Sequence, residues 1–420
     1  MSKNPVFEAA ATAANLARIR RDLLAAQSLL TGTVDLTPIQ TSRWLSDVVG
    51  VPVKLKCENL QRTGSFKLRG AYVRIARLDE AERRHGVVAA SAGNHAQGVA
   101  LSAALLKTSA TVFMPDGAAI PKQQATRAYG ADLQFAGTNV EAAISAATVF
   151  AKQTKAVLIH PFDHSDVVAG QASVALEIFD QIPEASTIIA PVGGGGLVAG
   201  IALAAKAFRP DLRVIGVQAE RVAAYPPSLK AGTPTAIVPT ARTMADGIAV
   251  AQPGAVPFAV IRDQVDRVLT VTESDLSRAV LQLLERAKMM VEPAGAASVA
   301  ALLAYPQEFA DDRCVVPVLS GGNIDPALLL QVIRHGMSSA GRYLSLRVRM
   351  PDRPGEMARL LDDLARCQVN LLDLVHERMA LALEPDEVQV ALQVETRGER
   401  DRDDLKGRLR VLGHTLLDTE

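Results

Sequence analysis

The sequence predicts an α/β protein made of two parallel-sheet lobes with a site between them, followed by a small βαββαβ module of ferredoxin-like topology. Three observations predict it. From Val51 onward, short β-branched runs alternate with Ala/Leu-rich helical stretches. Strands that are apolar along their length and separated by helices belong to parallel sheets covered on both faces. From Tyr343 the rhythm changes to strands with one wet face and amphipathic helices. The length of 420 residues also exceeds what one hydrophobic core supports.

In chain order, residues from Phe7 to Leu30 are rich in Ala, Leu and Arg and predict one or two surface helices. The runs Val51–Lys56, Gly86–Ala90, Ala110–Met114, Ala156–His160, Thr187–Val192, Arg213–Gln218 and Cys314–Leu319 predict strands. The pattern restarts several times, hence two lobes, and ligands in such folds sit where strands end and helices begin. Near His335–Arg342, Gly336, Ser338, Ser339 and Gly341 predict a linker at 336–342, between a domain of residues 1–335 and another of 343–420. Beyond it, Tyr343–Met350 alternates like a strand. Pro354 to Cys367 is an amphipathic helix opened by Asp352 and Pro354. Leu371–Arg378 and Val388–Thr396 predict strands, Arg402–Leu412 a second helix, and His414–Asp418 a last short strand.

Composition narrows the class. The chain is 49% hydrophobic and 21% charged, as soluble globular proteins are, and with 4% aromatics its packing rests on Ala, Val, Leu and Ile. Lys plus Arg and Asp plus Glu balance at 45 each, so no long-range field draws the protein to nucleic acid or an anionic membrane. Cys57, Cys314 and Cys367 lie far apart, which suggests neither a disulfide framework nor a zinc site. No signal sequence is apparent, because Glu8 and Asp22 interrupt what could pass for a transit peptide. No apolar run is long enough to span a bilayer. The expectation is a reduced, cytoplasmic protein without a metal.

Three glycine-rich segments carry the chemistry. In Gly64-Ser65-Phe66-Lys67-Leu68-Arg69-Gly70-Ala71 a lysine lies between glycines and beside Phe66, where backbone can approach a planar ligand closely. A surface lysine is the ordinary alternative, but a buried one loses its charge readily, as a Schiff-base amine must. Gly193-Gly194-Gly195-Gly196-Leu197 follows an apolar strand and precedes an Ala-rich helix. Four successive glycines turn several N–H groups into one concavity at a helix start, which suits a phosphate. Neither the Walker nor the dinucleotide spacing is present. Ser91-Ala92-Gly93-Asn94-His95-Ala96-Gln97-Gly98 also joins a strand to a helix, and its hydroxyl, amide and N–H groups suit a carboxylate. His95 is more often structural than catalytic in such a turn. An amine, a phosphate cradle and a carboxylate cradle are together what an amino acid bound through pyridoxal phosphate (PLP) needs.

At these residues the chain resembles the fold-type II PLP enzymes, the tryptophan synthase beta-like fold, and within them the threonine ammonia-lyases (threonine dehydratases). The likeness runs from about Thr37 to Ile333, with a second match through the tail. It implies that Lys67 is the Schiff-base residue, within a segment that includes Lys56, Glu58, Gln61 and Thr63. It implies that Phe66, Asn94, Gly193, Gly194, Gly195, Gly196, Leu197 and Ser320 hold the cofactor, with Asn94 near its 3′-oxygen. Ser91, Ala92, Gly93, Asn94, His95 and Gln97 would hold the substrate. Ala245–Ala249 and Val291–Gly295 are further family segments, and Glu292 is the expected neighbour of the pyridine ring or substrate.

Ser320 matches the residue that meets the pyridine nitrogen. A hydroxyl there leaves that nitrogen largely unprotonated, which favours β-elimination over transamination. The activity implied is elimination of water and ammonia from L-threonine, and from L-serine, giving 2-oxobutanoate or pyruvate, with Lys67 removing the α-proton. Serine racemase, a relative within the fold, carries a second serine where this chain has Ala92, which disfavours racemisation. Its cation-site glutamate is replaced here by Gln218. The tail resembles an ACT-type regulatory domain, with Asp352, Pro354 and Gly355 at the effector turn, isoleucine or valine as effectors, and a homo-oligomer, dimer or tetramer, as the assembly. The rival classes are a serine racemase of the same fold and a non-catalytic amino-acid-binding protein.

Overall fold

The computed structural model describes residues 13–378 and 383–417. The chain divides into two compact units, Met1–Leu329 and Leu330–Glu420.

The first unit holds two parallel four-stranded sheets. One has the order Asp132–Phe135, Ala110–Met114, Val87–Ala90, Val157–Leu158. The other has the order Val315–Pro317, Thr187–Pro191, Arg213–Ala219, Arg267–Val271. Their central strands are buried along their length, as parallel strands covered by helices must be. A two-stranded antiparallel ladder, Ile39–Thr41 with Lys54–Lys56, continues through single bridges, Val53 to Val315 and Lys56 to Val318, onto the second sheet. The predicted strand Val51–Lys56 thus shortens to Lys54–Lys56 and pairs mainly with a strand not anticipated. Helix Ala13–Leu30 covers the described part of the predicted Phe7–Leu30; residues 7–12 lie outside the described residues. No described helix is long and apolar enough to cross a membrane.

Small residues let the helices of this unit approach closely. Helix Lys67–Ala76 packs on helix Ser165–Gln181, and a Cβ on Gly170 would stand 2.6 Å from the Arg69 carbonyl oxygen and 2.7 Å from Gly70 Cα. The core around that contact is built from Val168, Ala169, Ala172, Ala175, Val198 and Ala202.

The second unit is an antiparallel sheet in the order Leu371–Glu377, Glu387–Glu395, Tyr343–Pro351, Thr415–Leu417, with helices Glu356–Arg366 and Glu399–Val411. That is the βαββαβ order of a ferredoxin-like module. Residue 418 of the predicted last strand lies outside the described residues. In Tyr343–Pro351 exposure alternates strictly from Leu344 to Val348, so Leu344, Leu346 and Val348 enter a core with Leu360, Leu364 and Leu409.

The predicted linker at 336–342 needs correction. Gly336, Ser338 and Ser339 belong to helix Pro326–Ser339, and only Ala340–Arg342 turn before the next strand. A single glycine costs a helix only about 1 kcal/mol, and Val332, Gly336 and Met337 are the buried residues of this one.

Candidate active site

Lys67 opens helix Lys67–Ala76, immediately after the turn Gly64–Phe66. Gly64 has φ +71, a left-handed conformation that favours glycine. Two backbone bonds tie this segment to the end of strand Val315–Pro317: Phe66 N donates to Ser320 O at 3.2 Å, and Gly322 N donates to Gly64 O at 2.9 Å. Ser320 is therefore adjacent to Phe66 and Lys67. The Lys67 Nζ donates to Pro161 O at 3.0 Å. Burial lowers its pKa to about 8, with Glu292 acting in the opposite direction.

The loop Ser91–Gln97 comes against the same lysine from another side. Gly98 packs on Lys67 backbone so closely that a Cβ there would stand 3.1 Å from the Lys67 carbonyl carbon. Ser91 Oγ accepts from Gly93 N at 3.1 Å and shapes the turn, while Gly93 and Ala92 remain part-exposed. A Cβ on Gly93 would meet nothing within 4 Å, so that side of the loop faces open space. Asn94 and His95 open helix Asn94–Leu105, and first-turn N–H groups have no partner within their own helix. The His95 ring turns away: its Nε2 lies 2.8 Å from Ile159 O, and burial, then the charge of Lys67, lower its pKa to about 3. It serves the structure through its ring and can offer the site its backbone N–H. Gln97 is buried.

Asn94 joins the loop to two further segments. Its Nδ2 donates to Glu292 Oε1 at 2.6 Å, and its Oδ1 accepts from Asn323 Nδ2 at 2.8 Å. Asn323 Nδ2 also donates to Thr63 O at 2.7 Å. This chain of bonds fixes which way the Asn94 amide faces. The Glu292 carboxyl is buried, and its pKa is raised to about 7 by that burial and by Asp246, against the Asn94 hydrogen bond, Lys122 and Lys67. Asp246 itself pairs with Lys122 at 2.9 Å.

The tetraglycine turn stands on the far side. A Cβ on Gly194 would overlap the Phe162 ring, and one on Gly195, at φ +103, would overlap the Tyr225 hydroxyl. Gly193 abuts Ile248, in the segment Ala245–Ala249. Among the described residues, the N–H groups of Gly193 to Leu197 find no protein acceptor, and they lie at the start of helix Gly196–Phe208. Such a cradle fits a phosphate. The buried Ser65 hydroxyl also lacks a partner in the protein. Phe162 follows Pro161, so one short segment touches both the Lys67 amine and the glycine turn. The three segments picked out from sequence are linked through Lys67 and the Pro161–Phe162 segment.

Behind the lysine lies a cluster of ions that sequence reasoning only half saw. Arg69 donates from Nε and Nη2 to both oxygens of Glu58, at 2.8 Å each, and from Nη1 and Nη2 to Glu177, at 2.5 and 2.9 Å. Lys56 Nζ donates to Glu177 (2.6 Å), Gln181 (2.8 Å) and Thr37 O (3.0 Å). Two cations and two carboxylates are thus balanced and fully bonded. Lys56, Glu58 and Arg69 stood in the family segment; Glu177 lies on a helix far along the chain and gave no local signal. Gln218 is buried, and its Oε1 accepts from Tyr225 N at 2.8 Å.

Residues 30–321 match the family model of pyridoxal-phosphate dependent enzymes. The chain is 41% identical to an L-threonine ammonia-lyase of Geobacter sulfurreducens over 378 residues, covering 90% of this chain and 94% of that one. Among solved structures it is similar to the processed form of threonine deaminase isoform 2 from Solanum lycopersicum, with a TM-score of 0.73 and 33% identity, over 77% of this chain and 94% of that one. It is also similar to a maize serine racemase, with a TM-score of 0.71 and 34% identity, over 76% and 97%. A lysine, a cradle of N–H groups and a match of this extent lead to one conclusion: the chain belongs to the pyridoxal-phosphate-dependent enzymes, with pyridoxal phosphate as its cofactor.

Proposed function

We propose that the protein is a threonine ammonia-lyase, which eliminates water from L-threonine, and also from L-serine, and releases ammonia and the keto acid. The observation that carries this reading is the set of contacts that ties Lys67 to the loop Ser91–Gln97 and, through Pro161–Phe162, to the turn Gly193–Leu197. Lys67 would bond the cofactor through its amine. Gly193 to Leu197 would hold its phosphate, Asn94 its 3′-oxygen, Ser320 its ring nitrogen, and Phe66 would flank it.

When bound, the cofactor supplies an electron sink that acidifies the α-carbon of the amino acid joined to it. Lys67, kept low in pKa by burial, takes the proton from that carbon at Nζ. The first-turn N–H groups at Asn94 and His95, with Ser91 and Gly93 beside them and Gln97 behind, receive and orient the substrate carboxylate. Asn94, locked between Glu292 and Asn323, keeps an N–H aimed in a fixed direction. A hydroxyl at Ser320, unlike a carboxylate, does not hold a proton on a ring nitrogen, which favours expulsion of a β-leaving group over transamination.

A racemase reading is favoured by the likeness to the maize enzyme. Against it, Ala92 offers no hydroxyl where a second face of the substrate would need a proton donor.

The C-terminal unit is the regulatory part of this proposal, as an ACT-type domain binding isoleucine or valine. Asp352, Pro354 and Gly355 are exposed at its first strand-to-helix turn, and Gly355 at φ +98 precedes helix Glu356–Arg366. The setting proposed is cytoplasmic and the assembly a homo-oligomer.

The test is keto-acid formation from L-threonine and L-serine, each with and without isoleucine and valine, alongside chiral analysis of the serine. Threonine turnover that changes with a branched-chain amino acid is the expected result. D-serine accumulating faster than pyruvate would replace the lyase by a racemase.

A further inference from the structure

One turn of chain touches both the Lys67 amine and the glycine turn. Residues 160–164 lie between the short strand Val157–Leu158 and helix Ser165–Gln181. Pro161 O receives the Lys67 amine at 3.0 Å, while Phe162 packs its ring against Gly194 and its Cβ and backbone against Gly196. The side chain that shapes this turn is His160. Its Nδ1 accepts from Asp163 N at 2.8 Å and from Phe162 N at 3.3 Å. Its ring meets the Phe162 ring edge to face, at 90° with centroids 4.6 Å apart. Asp163 extends the brace, accepting from Val256 N through Oδ1 at 2.8 Å.

An imidazole nitrogen that accepts two N–H groups carries no proton, so the ring is neutral with its hydrogen on Nε2. Burial favours that neutral form. The amine of Lys67 stands four side-chain torsions from the helix start, with the Pro161 carbonyl to anchor it. Donating one N–H to a fixed carbonyl sets the directions left to its lone pair, which is what a base at a single carbon needs.

We propose that His160 is a positioning residue of the reaction: its Nδ1 holds the 160–163 turn so that Pro161 aims the Lys67 amine while Phe162 braces the glycine turn. This rests on the reading of Lys67 as the reacting amine. His160 acts through its two neighbours and does not touch the substrate.

Three substitutions separate the roles of its atoms. In His160→Asn the amide oxygen takes the place of Nδ1. In His160→Gln the polar group reaches the place of Nε2 instead, and His160→Leu supplies neither. The expected result is that Leu and Gln lower kcat for L-threonine by about 30-fold or more with KM changed less than about threefold, whereas Asn stays within about fivefold of wild type. Equilibrium dialysis of the apoprotein against pyridoxal phosphate should show binding weakened about tenfold in the Leu variant and less in Asn. If the Leu variant fails to fold, the contrast between Asn and Gln decides. Gln equal to Asn in kcat, or a folded Leu variant with unchanged kcat and cofactor affinity, would overturn the proposal. A wild-type protein that makes no keto acid would instead sink the lyase reading, and the dialysis series would then decide the role of the turn by itself.

Discussion

The unit ending at Leu329 buries Lys56, Glu58 and Arg69 completely, and Glu292 almost so, whereas the core of the unit from Leu330 is built from Leu, Val and Met. The second unit's one comparable feature among the described residues is the buried contact of His414 Nε2 with Asp363, at 2.9 Å. Buried ion pairs are weak sources of stability, since desolvation offsets most of their attraction, and apolar side chains of similar volume often do as well. Their concentration in one unit therefore points to geometry. Arg69 stands two residues after Lys67 and has every donor engaged, so it fixes the register of the helix that presents the amine. The second unit has no reacting group to aim. Strand Tyr343–Pro351 follows binary patterning, and the charged residues of the unit other than Asp363 and His414 are not buried among the described residues.

The sharpest way to break this contrast is Lys67→Ala. If the first unit exists to aim that amine, keto-acid formation falls by at least about 10³-fold, and the absorbance of protein-bound cofactor near 410–420 nm, about where such imines absorb, disappears. Retained turnover would remove the reason for the whole arrangement.

Next in size is Arg69→Met, followed by urea unfolding. Removing the guanidinium leaves the buried Glu58 carboxylate without a cationic hydrogen-bond partner and Glu177 with Lys56 alone, which costs about 3–5 kcal/mol. A loss under about 1 kcal/mol would mean that the cluster relaxes easily and aims nothing.

The third prediction concerns pH. Glu292 is raised to about 7 in the folded protein, so between its ordinary range and 7 the native state binds a proton that the unfolded chain has released. Stability of the apoprotein therefore falls as pH rises from about 4.5 to 7 and then levels off, by an amount on the order of 3 kcal/mol. Glu292→Gln should remove that slope relative to wild type. Identical slopes would show that the carboxyl is not held against its charge.

The same contrast governs what could be read from the sequence. Buried strands such as Thr187–Pro191 and Arg213–Ala219 are legible because burial on both faces demands an unbroken apolar run. Asp132–Phe135 is an edge strand with three exposed residues, and Arg267–Val271 begins exposed, so neither shows that run. The glycine clusters were legible because few other roles require four in succession. Glu177 was not, since on its own helix it reads as an ordinary polar position. The turn at His160–Asp163 escaped for a similar reason: its work is done by backbone groups, which sequence does not distinguish. In the second unit nearly every element falls within two residues of its expected bounds, because strands with one wet face announce their period.

Gly98 has a consequence for anyone reshaping this enzyme. Because that residue lets the helix behind the Ser91–Gln97 loop rest on the peptide of Lys67, the two are mechanically one part. A library that varies the loop to admit a bulkier amino acid will shift the amine along with it, so altered selectivity and altered turnover should appear together in its variants. Designers would do better to vary surfaces that do not lean on that peptide.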